Sequence, residues 1–187
     1  MTSSHPAPSS IPHTAQAMID FWQEAGPAKW FAKSAAFDAA FRSRFYDAHY
    51  AAARQELEDW LRQPLSALAV ILLLDQYPRN AFRGTGHMFA TDGLALAYAR
   101  RSLPLLDQIE PGLRNFVCLP FMHAESLAVQ DEALALYQQH VPDSVRWANM
   151  HRDIIVRFGR FPHRNAALGR ATTPEEQAFL DAGGFAG

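Results

Sequence analysis

Apolar positions recur along this chain at intervals of three and four, the spacing of one helix face. Met18, Phe21 and Trp22 show it first, with Thr14 as a candidate cap, and Gly26-Pro27 ends that element. A second aromatic cluster, Trp30-Phe31, comes next. Phe37, Phe41, Phe45 and Ala48 then form the stripe of a long helix predicted over residues 37–60. Gln63-Pro64 starts the next element. Residues 67–74 are apolar on every side, so their helix belongs at the centre of the molecule. Their Ala and Leu content favours helix over strand.

Thr91-Asp92 caps a further helix carrying Leu94, Ala97, Tyr98 and Arg101. Residues 103–111 connect it to a second wholly apolar run, 116–122, where Pro120 predicts a kink or an end. Residues 126–140 are amphipathic through Leu127, Leu134, Tyr137 and Val141, and Pro142-Asp143 stops them and caps the next helix. Thr173-Pro174-Glu175-Glu176 is a capping box with proline at the first helical position, opening a short helix that Gly183-Gly184 frays. No stretch alternates strictly between hairpin turns, so the expected class is all-α. Strands alternating with helices, using the two apolar runs as strands, is the rival. A Ser- and Pro-rich tail over residues 1–13, expected to be disordered, precedes one all-helical domain over 14–187.

The organising stretch is 147–170. Trp147, Ile154, Ile155 and Phe158 each fall within about 60° of His151 on a helical wheel, which places His151 near the centre of their arc. Gly159 and Pro162 then break the period and present Arg160, His163, Arg164 and Asn165 on a turn. A titratable ring thus stands at a core position, with a dense cationic turn after it. Two other central helices end in polar clusters, Asp75/Arg79/Asn80 and His123/Glu125. Asp75 lies within about 40° of Ile71 and is expected to be buried, with Arg79, Arg83 or the 157–164 arginines as partners. Tyr77-Pro78-Arg79-Asn80-Ala81 and Phe161-Pro162-His163-Arg164-Asn165-Ala166 echo each other, which suggests equivalent helix-end turns.

Charge and composition narrow the classes. The net charge of −2 supplies no global field for nucleic acid or anionic membrane. Six arginines lie between Arg146 and Arg170, but their helix phases are scattered, so an RNA face is not expected. Only two of the 17 basic residues are lysines; arginine's planar fork suits carboxylate and phosphate. Cys118, the single cysteine, sits in an apolar run and is expected to be inert. The longest apolar run falls far short of the ~20 residues a membrane span needs, and no secretory signal shows, so a cytoplasmic setting is the default. There is no nucleophile elbow, and Gly84-Thr85-Gly86 is too short for a phosphate loop. No motif implies a cofactor.

LLLDQYPRNAFRG, FATD, LPFMHAESLAVQD and HRDIIVRFGRFPHRNAALGR followed by TPEE closely resemble the bacterial family called domain of unknown function 924. The matching motifs run from Phe21-Trp22 and Trp30-Phe31 to Phe179-Leu180. One departure stands at Gln23, where the family usually continues with a second Phe. The resemblance implies stacked helix pairs similar to tetratricopeptide arrays, although no 34-residue repeat signature is present. It implies no activity.

Three functional readings are open. In the first, Asp75, Arg79, Asn80, His123, Glu125, His151, Arg157, Arg160, His163 and Arg164 line a pocket for a small anionic molecule, a carboxylate or phosphate. In the second, the protein is an interaction scaffold whose concave surface takes a peptide, and the polar motifs are structural ion pairs. In the third, His123, Glu125 and His151 hold a metal for assisted hydrolysis, though no His-Glu-x-x-His motif supports it. Arg160 and Arg164 discriminate the first two: lining an open site favours a ligand, and full pairing in a closed core favours the scaffold.

Overall fold

Why the two apolar runs sit where they do is visible in the computed structural model, which describes residues 12–187. Among these residues there is no strand, and nine α-helices are joined by short 3-10 turns. They are α1 (His13–Ala25), α2 (Pro27–Trp30), α3 (Ala35–Ala53), α4 (Pro64–Ala81), α5 (Asp92–Ser102), α6 (Pro111–Met122), α7 (Leu127–His140), α8 (Val145–Phe158) and α9 (Pro174–Asp181). The α/β rival is thereby overturned. The expected tail falls mostly on residues 1–11, outside the described residues, and His13 is already helical. No described helix is long and apolar enough to cross a membrane.

Alternate helices α1, α4, α6 and α8 pack on one another in a row, and α3, α5 and α7 pack against that row from outside. Every residue of α4 from 66 to 78 is buried, as a helix apolar all round requires. Each Leu or Ile so buried contributes about 1.5–3 kcal/mol of transfer free energy. Trp22, Phe41, Phe45, Tyr77 and Phe116 close the N-terminal half of the core. Cys118 is fully buried there, and burial pushes its thiol up to about 12, which removes thiolate reactivity.

Local chemistry shifts several expected boundaries. The helix predicted over 37–60 stops at Ala53, because Gln55 turns left-handed at φ 63°; a separate 3-10 turn, Glu58–Arg62, comes after it. Pro120 does not end α6, which starts at Pro111 and continues to Met122. Pro78 likewise lies inside α4, although proline denies the carbonyl four residues back its helical donor. That carbonyl belongs to Leu74, and the Thr91 hydroxyl donates to it instead. Thr91 therefore repairs α4 and makes no side-chain cap on α5. Asp143 likewise makes no cap on α8: a 3-10 turn, Pro142–Ser144, leads into it. Trp147 is 44% exposed, and Ala148 takes the core position beside His151. The capping box on α9 forms as predicted.

Candidate functional site

The polar groups converge where the row of core helices ends. Asp75 lies in the second half of α4, His123 just past the end of α6, and His151 midway along α8. The turn at 161–165 crosses above them.

The Asp75 carboxylate is fully buried and accepts from His123 Nδ1 at 2.7 Å and Gln76 Nε2 at 2.6 Å, with Arg79 at 3.2 Å. Burial pushes this carboxyl up, but Arg79 and His123 outweigh it and hold the group below its ordinary range. An ionised carboxylate only accepts, so His123 carries its proton on Nδ1 and presents Nε2 as a lone pair. Burial and Arg79 keep that imidazole neutral against the pull of Asp75.

Arg79 donates in a fork to Asp92, at 2.8 and 2.9 Å, and to the Asp75 carbonyl at 2.7 Å. Arg164 reaches the same carboxylate at 3.2 Å and donates to the His123 carbonyl at 3.0 Å. Its guanidinium lies 4.6 Å from the ring centres of both Phe89 and Phe161. Arg164 is only 6% exposed, and its Nε has no partner among the described residues. Burial, and then the neighbouring Arg79 cation, push its pKa down to about 10.

His151 donates Nδ1–H to the Trp147 carbonyl at 2.8 Å, which leaves Nε2 as an acceptor. Burial, then the neighbouring His123 ring, pushes His151 down to about 4, and burial, then the Arg164 cation, pushes His163 down to about 3. Both rings are therefore neutral near pH 7. The His151 and His123 ring centres are 6.4 Å apart, and the buried Nδ1 of His163 has no partner among the described residues.

Asp75, Arg79, His123, His151, His163 and Arg164 are thus brought together. Four other predicted site residues are not. Both oxygens of Glu125 are held by Arg170 at 2.6 and 2.9 Å, and one also accepts the Phe161 N–H. Arg160 grips Glu176 in a fork at 2.6 and 2.9 Å. Asn80 donates back to the Gln76 carbonyl within α4 and accepts from Arg83. Arg157 lies outward on Glu175 and the Phe158 ring. The discriminating pair therefore divides: Arg160 is a structural clamp, and Arg164 is a buried cation with donor capacity unspent.

With Glu125 committed to Arg170, the proposed triad of His123, Glu125 and His151 loses its carboxylate. Among the described residues no group of three His, Cys, Asp or Glu is disposed to hold a metal ion. The two echoed segments are not equivalent turns, since Pro78 is inside a helix and Pro162 opens a 3-10 turn. Their arginines nonetheless meet on one carboxylate, Asp92. Sequence reasoning missed Asp92 because it carries every mark of a helix-start residue. Phe89 and Phe185, which wall the cluster, carry no periodic signal at all.

No curated protein matches the chain. A solved structure of a protein of unknown function from Agrobacterium tumefaciens is 52% identical, covers 90% of this chain and 97% of its own, and superposes with a TM-score of 0.87. The family described as "Bacterial protein of unknown function (DUF924)" matches residues 18–184, and the chain belongs to that family.

Proposed function

We propose that this protein binds a small molecule bearing a carboxylate or phosphate at the cluster of Arg79, His123, His151, His163 and Arg164. Arg164 carries the reading. It is a cation buried to 6% exposure, with one carboxylate contact at 3.2 Å to an Asp92 already forked by Arg79, and its Nε is unpartnered. A buried guanidinium with an N–H left unpartnered is costly, and a ligand oxygen that accepts from it relieves that cost. The Phe89–Phe161 sandwich holds the guanidinium in place in advance of binding. The side chains of His123, Arg79 and Asp92 keep 12%, 15% and 17% exposure, so the cluster meets solvent along that edge.

A panel of carboxylates and phosphates tests this by thermal shift. A ligand at a hundred times its Kd adds about 2.7 kcal/mol of stability, about 5–10 °C for a domain of this length. Arg164→Lys, which keeps the charge but loses the fork, should abolish the shift. A wild-type protein unmoved by every member at millimolar concentration would refute the reading.

The interaction-scaffold reading draws on a different observation: Trp147 and Val156 of α8 are 44% and 55% exposed. The row of alternate helices supports the tetratricopeptide-like stacking to which it is tied. Trp147 and Val156 lie on opposite sides of α8, so Trp147→Ser and Val156→Ser would each remove one exposed apolar contact without changing the anion-induced shift.

A further inference from the structure

The segment after α9 turns back onto the histidines. Gly183 has φ 80°, and a Cβ on Gly184 would lie 2.6 Å from the Phe179 ring and carbonyl, so only glycine passes this corner. The reversal lays the Phe185 ring edge-on against two imidazoles, 4.7 Å from the centre of His151 and 5.1 Å from that of His163. Phe161 closes the seat from below, 5.5 Å from His151 and 5.8 Å from His163. Phe161 also stacks on the Arg164 guanidinium.

A phenyl ring is a poor match for these walls. It offers neither donor nor acceptor, yet His163 Nδ1 is buried beside it without a partner among the described residues, and His151, whose Nδ1 is spent on the Trp147 carbonyl, presents Nε2 as an acceptor. Phe185 copies the shape the seat accepts and leaves its polarity unanswered. Its exit is already provided. A groove of about 660 Å³, lined by Ile154, Phe158, Phe179 and Phe185 itself, continues from the seat along the outside of α8 and α9. The ring can swing into that groove and remain on apolar surface.

We propose that the ligand is an anion carrying an aromatic ring, and that Phe185 occupies the ring's seat while the site is empty. This deepens the anion-binding reading above and rests on it. The aryl group displaces Phe185 from between His151 and His163. Its carboxylate or phosphate then lies toward Arg164, whose Nε–H is the unpartnered donor.

Calorimetric titration of the full chain tests this with inorganic phosphate against phenyl phosphate, and acetate against benzoate. Wild type and Phe185→Ala are compared, with Phe185→Leu as a milder variant should the alanine protein melt early. Removing the internal competitor should tighten phenyl phosphate, benzoate or both by about tenfold to a hundredfold, the worth of seating one aromatic side chain. The matching small anion should change by less than about twofold. Equal gains for phosphate and phenyl phosphate would overturn the proposal, because Phe185 would then only obstruct entry. Weaker aryl binding in the variants would overturn it too, because Phe185 would then be part of the bound site. If the small anions bind wild type but a ring adds nothing in any variant, this inference falls and the anion reading stands. If no probe binds any protein, both fall together.

Discussion

Replacing Asp75 by alanine removes the acceptor on which three donors converge, and the structure divides its consequences unequally. His123 Nδ1 and Gln76 Nε2 both point at this carboxylate, at 2.7 and 2.6 Å, in a fully buried position. Each becomes an orphaned buried polar group, costing about 1–3 kcal/mol. Arg79 fares better. It keeps the fork to Asp92 and the carbonyl of residue 75 itself, so its charge stays compensated. The full 3–5 kcal/mol of a stripped buried ion pair is therefore not added on its account. Desolvation of the carboxylate is relieved at the same time. The expected net loss is about 3 kcal/mol, within the 5–15 kcal/mol typical of a domain, so the variant still folds. Urea unfolding at about pH 7.5 reads this as a lower midpoint with an unchanged slope. Asp75→Asn keeps an acceptor for the His123 N–H and should recover about half of the loss. A loss below about 1 kcal/mol for Asp75→Ala would refute the reasoning, since the donors would then be finding water or other partners.

Two further outcomes concern the histidines. Their pKa values, pushed down to about 4 for His151 and about 3 for His163, lie below the unfolded value of about 6.5, so the unfolded chain binds protons first as pH falls. Their contribution to stability is complete above about pH 6.5 and is lost toward about pH 4, about 3 kcal/mol for His151 alone; a flat profile from denaturant melts across that window would contradict buried neutral imidazoles. His151→Leu should hold or raise the melting temperature while abolishing anion binding, because the Trp147 carbonyl it releases still accepts the helical N–H of residue 151. A melting temperature lowered by several degrees, with no ligand shifting wild type, would make His151 structural.

The fold was largely legible because burial leaves a periodic record. Residues 67–74 and 116–122 read as central helices, and they are. What periodicity cannot carry is where a freed backbone group finds its partner. Pro78 and Pro120 look like breaks, and the helix through Pro78 survives by borrowing a hydroxyl from Thr91, thirteen positions beyond it. The site was legible in part for a related reason. Asp75, His123 and His151 are polar residues at apolar phases, and that conflict shows in one dimension. Arg157, Arg160, Glu125 and Asn80 were drawn in by proximity along the chain alone. The contacts that remove Glu125 and Arg160 from the site run to Arg170 and Glu176, across separations of 45 and 16 residues. Asp92 was hidden because a helix-start carboxylate and an arginine bridge are the same residue type in the same place.

The arginines at this site also answer a backbone requirement. The C-terminus of α6 lies at the cluster, and a helix C-terminus carries partial negative charge with acceptors left over. Arg164 donates to the carbonyl of His123, just past that end, while Arg79 adds a second donor to the in-helix carbonyl of residue 75. Two carboxylates, Asp75 and Asp92, balance the two guanidiniums, so the unliganded cluster holds no surplus positive charge. An anion drawn to it must therefore be met by specific donors, since the α6 end opposes it. Arg164 Nε is one such donor, and the imidazoles of His123, His151 and His163 become donors on both nitrogens once an anion raises their proton affinity. A site of this kind discriminates by where a ligand's oxygens fall, and attracts weakly by charge alone. Its affinity should accordingly strengthen as pH falls toward the His151 value of about 4 and stay flat above about 7, where the rings are neutral.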